Sequence, residues 1–144
     1  PVMTTENTPF EIGKAVTMWD GKDVAVIACG PLVHNALLAA GELETEGVSV
    51  RVINMHTVKP LDESAVLAAA KECGAIITVE EHQIAGGLGG AVCEFLAENL
   101  PTPVVRIGVR DRFGESGTPT ELIEKLGMGV SSIKEAIKKA LSRK

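Results

Sequence analysis

Two short runs constrain the fold more than anything else in the chain. Residues 24–29 (VAVIAC) and 75–79 (AIITV) are apolar at essentially every position, so neither has a polar face to show to water. A strand of that kind must be covered on both sides, as the inner strands of a parallel sheet flanked by helices are. Residues 48–55 (VSVRVINM) and 104–109 (VVRIGV) differ, because each carries an arginine mid-strand, Arg51 and Arg106. A strand that tolerates a charge has one partly open face and belongs further out. The economical order, by first residue, is 48, 24, 75, 104. The direction of connection then reverses between the runs at 24 and 75, which makes a topological switch point. A brief run at 15–19 adds at an edge, antiparallel.

Helical spacing fills the intervals. In 32–46, Leu32, Ala36, Ala39, Ala40 and Leu43 fall on one stripe, and Gly47 supplies a left-handed stop. Asp62 caps the next helix, with Val66, Ala69, Ala70 and Cys73 inward and Gly74 as its stop. After the glycine cluster at 86–90, Val92, Phe95 and Leu96 keep helical spacing. Thr118-Pro119-Thr120-Glu121 joins a capping box to a proline at the first helical position, and that helix ends at Gly127. Ser132 with Glu135 reads as a second capping box opening a final helix, with Ile133, Ile137, Ala140 and Leu141 inward. The fold class is therefore α/β, a three-layer α/β/α sandwich.

The 144 residues make one ordinary domain, and 45% hydrophobic residues allow a well-buried core. No apolar run approaches bilayer-spanning length, so a membrane span is not expected. The start lacks a basic and an apolar region, so it is not a secretory signal. It also lacks an initiator Met, and the polar, aperiodic residues 1–9 read as a linker in a piece of something longer. A net charge of −5 argues against nucleic acid, since the dense cations Lys134, Lys138, Lys139, Arg143 and Lys144 sit in the last turns of a helix, where its dipole favours them. Three cysteines, Cys29, Cys73 and Cys93, have no metal or disulfide spacing. They read as small buried hydrophobes in a reducing cytoplasm.

Chemistry should gather where the inner strands end. Glu80, Glu81 and His82 follow one of them, and Gly30 and His34 follow the other. A histidine among carboxylates serves as an acid or base, or as a hydrogen-bonding interface residue. With no nucleophile or third orienting group in view, the interface reading is preferred. The glycine cluster fails as a dinucleotide fingerprint: from Gly87 the pattern is G-L-G-G-A-V, with Val92 at the third glycine position. Gly86 and Gly87 then either permit tight helix-on-sheet packing or leave N–H groups free to hold an anion or a partner's carboxylate. Packing is the preferred reading. The loop Arg110-Asp111-Arg112-Phe113, with Glu115 and Ser116, is too self-neutralising for a phosphate clamp and suits docking. The rim to test is Gly30, His34, Glu80, Glu81, His82, Gly86, Gly87 and Arg112.

Residues 21–63 (GKDVAVIACGPLVHNALLAAGELETEGVSVRVINMHTVKPLDE), then ITVEEHQIAGGLGGAV, then GVRDRFGESGTPTELIEKLGM, together resemble the C-terminal domain of transketolase and its thiamine-diphosphate relatives. Those relatives include deoxyxylulose-phosphate synthase and the β subunits of 2-oxoacid dehydrogenases. They share the Lys59-Pro60-Leu61-Asp62 turn, whereas the ending Phe113-Gly114-Glu115-Ser116-Gly117-Thr118-Pro119 is most similar to transketolase, especially the split form made as two polypeptides. The resemblance implies a five-stranded sheet, four strands parallel and one antiparallel at an edge. It implies that residues 1–12 are the linker from a missing pyrimidine-binding domain and 13–144 the C-terminal domain. In the family a Gly-Asp-Gly motif holds the pyrophosphate and metal, and the activating glutamate lies on the pyrimidine-binding domain; neither stands in this sequence. No catalytic, cofactor-binding or metal residue is therefore expected here, thiamine diphosphate and Mg²⁺ belonging to the parent enzyme. The implied parent transfers two-carbon ketol units between sugar phosphates in pentose phosphate metabolism. The fragment alone would be inactive and serve assembly with the pyrimidine- and pyrophosphate-binding domains, and dimerisation. The competing reading is a free-standing small-molecule or anion-binding regulator using the crevice of Gly30, Glu81, His82 and Gly86.

Overall fold

A computed structural model describes residues 2–144. The elements follow in the order β1 (Val16–Trp19), β2 (Val24–Ala28), α1 (Leu32–Thr45), β3 (Val50–Asn54), α2 (Glu63–Cys73), β4 (Ile76–Gln83), α3 (Leu88–Asn99), β5 (Val104–Val109), α4 (Pro119–Lys125) and α5 (Val130–Leu141). Among the described residues the sheet runs β1-β3-β2-β4-β5. β1 is antiparallel to β3, and the other pairings are parallel. This is the expected order, with the switch point between β2 and β4.

The doubly apolar strands explain the layering. Val24, Val26 and Ala28 of β2 join one core with α1 and α5, while Ala25 and Ile27 join a second with α2 and α3. All five β2 residues are fully buried, as strands covered on both faces must be. Arg51, on β3 between β1 and β2, is mostly covered, and its charge is met by Asp20 at 3.0 Å and Glu72 at 2.6 Å.

Helix ends follow their local chemistry. Asp62 accepts the Ala65 N–H at 3.1 Å, and Gly74 closes α2 at φ 70°. Thr118 and Glu121 form the reciprocal capping box on α4, with Pro119 at the helix start. The second box is a correction. α5 begins three residues earlier than Ser132 suggests, with Gly129 at the cap and no side-chain cap bond. Gly127 takes φ 75° and ends α4, and the chain re-enters a helix at once, so Ser132 and Glu135 lie inside α5.

The N-terminal strap is fastened to the strand-to-helix turn after β3. The Gly13 N–H donates to Thr57 Oγ1 at 3.1 Å, and the Ala15 N–H donates to Asp62 Oδ2 at 2.8 Å. Of the expected linker, Pro1 lies outside the described residues; Thr5 and Thr8 form a small turn within the rest.

Candidate functional site

The carboxyl ends of the parallel strands carry the site, and β4 shapes it. Val79 pairs with Ile107, but the next pairing is Gln83 with Val109, so β4 bulges by two residues through the stretch 80–82. A bulge re-aims side chains, and here it separates three neighbours. Glu80 turns inward and is 2% exposed, whereas Glu81 and His82 face solvent. Gly108 makes room for the bulge: a Cβ there would lie 2.8 Å from the His82 carbonyl oxygen.

The buried Glu80 answers what the glycine cluster is for. Its carboxylate accepts the Leu88 N–H at 2.7 Å and the Gly89 N–H at 2.8 Å, satisfying two donors at the start of α3. Of the two readings of the glycines, the one that leaves these N–H groups free for an outside anion is corrected, because Glu80 occupies them. The helix N-terminus does bind an anion, and the anion is this chain's own carboxylate. Close approach matters as well. A Cβ on Gly87 would fall 2.0 Å from Glu80 Oε2, and one on Gly89 would meet Thr78 Oγ1 at 2.8 Å and Arg106 Cδ at 2.9 Å. The clue available in the sequence was an acidic residue ending a buried strand, followed within ten residues by a glycine-rich helix start.

Gln83 escaped the sequence reading. Its side-chain amide accepts the Asp111 N–H at 2.9 Å and donates to the Arg112 carbonyl at 3.1 Å, so it ties the loop after β5 to the tip of β4. Asp111 sits there at φ 48°, in the left-handed region where a non-glycine residue is strained. Arg112 pairs with Glu115 at 2.7 Å, and Lys125 of α4 also reaches Glu115. The Lys125 hydrogen bond and charge hold the Glu115 carboxyl below the usual carboxylate range.

The remaining rim residues separate into different surroundings. Gly30 turns β2 into α1 at φ 67° with open space around it. His34, on the first turn of α1, lines a groove with Trp19, Leu37 and Leu38, on the side of the helix nearer β1. Gly86 and Gly87 line another cleft, beside Lys59 and Phe95. His82 Nδ1 lies 2.9 Å from the Gln83 carbonyl oxygen, exposed on the bulge. Burial, and secondly the Glu80 charge, push the Cys29 thiol up, which suits a packed rather than a nucleophilic cysteine. Among the described residues no three His, Cys, Asp or Glu side chains come together as a metal-holding group. The rim thus pairs a buried, doubly bonded Glu80 with an exposed polar crest at Glu81 and His82.

Comparison with known proteins agrees with this architecture. The model of the family described as "Transketolase, C-terminal domain" matches residues 13–133. The chain is 46% identical over 140 residues to the 6-deoxy-6-sulfo-D-fructose transketolase subunit SqwH of Clostridium sp., covering 97% of this chain and 44% of that protein. It is 44% identical over 132 residues to the 1-deoxy-D-xylulose-5-phosphate synthase of Thermomicrobium roseum, covering 91% of this chain and 21% of that protein. A solved structure titled "Split gene transketolase, inactive beta4 tetramer" superposes with a TM-score of 0.95 at 43% identity, over 99% of this chain and 46% of that one. The chain thus spans less than half the length of the relatives it matches. With the family matched from Gly13 through the start of α5 and the sheet order as expected, this chain belongs to the transketolase C-terminal domain family.

Proposed function

We propose that this chain is the C-terminal assembly domain of a transketolase. The parent enzyme transfers two-carbon ketol units between sugar phosphates, within pentose phosphate metabolism in the cytoplasm. It works as a dimer, with thiamine diphosphate and Mg²⁺ held by its pyrophosphate- and pyrimidine-binding domains. The domain described here, residues 13–144 behind a linker at 1–12, is inactive alone and contributes through the carboxyl rim of its sheet.

One observation carries the reading: the N-terminus of α3, the natural anion site on this rim, is filled by the Glu80 carboxylate. A diphosphate would meet a buried negative charge there instead of free N–H groups, so these residues do not fit the cofactor's phosphates. The exposed Glu81 and His82 and the braced 110–117 loop are left to face a protein. The similarity to split transketolase subunits supports the same reading. The identity to a 1-deoxy-D-xylulose-5-phosphate synthase supports a second choice of parent, with the same role for this domain.

The test is a thermal melt of the chain with thiamine diphosphate and Mg²⁺, beside an activity assay of the parent polypeptide joined to its complementary subunit. No stabilisation of the chain is expected, whereas a ligand at a hundred times its Kd would add about 2.7 kcal/mol. The complete enzyme should transfer ketol units, and charge reversal by Glu81→Lys should lower its assembly. Ketol transfer or cofactor binding by the chain alone would overturn the proposal. Formation of 1-deoxy-D-xylulose 5-phosphate by the complete enzyme would select the second parent.

A further inference from the structure

Three of the large apolar side chains that this domain leaves most in water share one edge, whereas the less exposed Trp19 and Leu38 line the groove beside α1. Phe113 is 96% exposed, Ile12 72% and Phe10 71%. Phe113 belongs to the loop that follows β5, at the carboxyl end of that strand. Phe10 and Ile12 precede β1, whose first residue, Val16, pairs with Asn54 at the end of β3. Because β1 runs antiparallel, the chain ahead of it also lies at the carboxyl ends of the parallel strands. The Phe10 ring stacks on His56, two residues past β3, with centroids 4.4 Å apart. All three residues therefore stand on the same edge as Glu81 and His82, at its two ends. β3 and β5 are separated by three strand spacings, so the two ends lie roughly 15 Å apart.

The loop holding Phe113 is braced by polar groups. The Gln83 amide accepts the Asp111 N–H and donates to the Arg112 carbonyl, and Glu115 joins Arg112 to Lys125. Polar bracing of this kind keeps the ring standing out from the domain instead of folding it onto the surface. An aromatic ring held in water with an apolar partner set across a polar crest has the make-up of an interface anchor.

We infer that Phe113, with Ile12 and Phe10 at the opposite end of the edge, anchors the carboxyl rim against the portion of the parent polypeptide that precedes this domain. This rests on the reading of the chain as an assembly domain and adds to it the residues that make the contact. The occupant follows from the path of the chain. The strap at residues 2–12 enters along this edge and is pinned there through Gly13 and Ala15. The relatives are more than twice as long, since the chain spans 44% and 46% of two of them, and the matched family is the C-terminal domain. The remainder of such a polypeptide arrives at the edge where these side chains stand.

Thiol labelling tests the inference. Phe113→Cys and, separately, Ile12→Cys are placed in the 144-residue chain and in the parent polypeptide, each in complex with the complementary subunit and without it. The wild-type rate is subtracted to remove Cys29, Cys73 and Cys93. Both positions are exposed, so the variants are expected to fold, and unchanged melting of the chain checks this. Maleimide labelling in the parent polypeptide should be about tenfold or more slower than in the chain, at every protein concentration. Equal rates in chain and parent would overturn the inference even if the complete enzyme is active. Slowing that appears only as the parent self-associates would assign the anchors to a second copy, and slowing only with the complementary subunit would assign them there; either overturns the proposed occupant. Slow labelling in a parent that lacks ketol-transfer activity would uphold the anchors while removing the functional reading.

Discussion

Replacing Glu80 is the sharpest perturbation the structure offers. In the wild type its buried carboxylate accepts two N–H groups at 2.7 and 2.8 Å. Hydrogen bonds to a charged group contribute about 1.5–3 kcal/mol each, and a buried donor left without an acceptor costs about as much. Glu80→Ala removes both acceptors and opens a void at the start of α3. Loss of two bonds sums to roughly 3–6 kcal/mol, and hydration of the loosened helix start favours the lower end, about 3 kcal/mol. Against a total stability of about 5–15 kcal/mol that is a large fraction. At about 2–4 °C per kcal/mol, the melting temperature should fall by roughly 6–12 °C. Glu80→Gln keeps one acceptor but sets an NH₂ group against the other N–H, so it should also destabilise, by about 2 kcal/mol. Circular dichroism melts and urea midpoints at constant m would measure both. Removing the carboxylate also frees an anion site, so inorganic phosphate should stabilise Glu80→Ala and leave the wild type unchanged. A Glu80→Gln protein that melts with the wild type, or an alanine variant indifferent to phosphate, would refute the capping argument.

Other substitutions probe the same framework. Gly89→Val drives a side chain into Thr78 and Arg106 and should cost about 1–3 kcal/mol, read as a lower urea midpoint. Thr118→Ala breaks the reciprocal cap on the short helix α4 and should cost about 1 kcal/mol, with faster hydrogen exchange confined to residues 118–126. Lys138 and Lys134 of α5 hydrogen-bond Glu46 and hold its carboxyl below the ordinary range. The unfolded chain then binds that proton more readily, so the pairing supports the fold at neutral pH and is lost as pH falls through the lowered folded value. Glu46→Gln should accordingly flatten part of the acid-side decline in melting temperature. His82→Ala should leave the chain's melt unchanged and weaken assembly with the rest of the enzyme; a lost melting transition would place His82 in the core instead.

The sheet was legible because its signals are local and redundant. Continuous apolar runs at 24–29 and 75–79 demand cover on both faces, and the mid-strand arginines push their strands outward. The start of α5 was misplaced because Ser132 and Glu135 match a capping box by spacing alone. The conformations of Gly127 and Gly129, which decide the matter, depend on how α4 ends. At the rim, Glu80, Glu81 and His82 read alike in sequence as polar residues past a strand. The two-residue bulge against β5 sends one into the core and two into water, and a bulge is fixed by pairing with a strand more than twenty residues away. Gln83 stayed hidden for the same reason, since its amide braces backbone groups 28 and 29 residues on. The packing role of the glycine cluster was legible, whereas the capture of its N–H groups by Glu80 of the same chain was not, because it depends on the bulge that turns Glu80 inward.

The central claim is that the carboxyl rim of this sheet meets protein rather than ligand, and amide hydrogen exchange tests it most directly. Exchange at residues 80–84 and 110–117 would be followed in the chain alone, in the chain with thiamine diphosphate and Mg²⁺, and in the complete enzyme. Slowing should appear only in the complete enzyme. Protection by the cofactor in the isolated chain, with none added by assembly, would contradict the account.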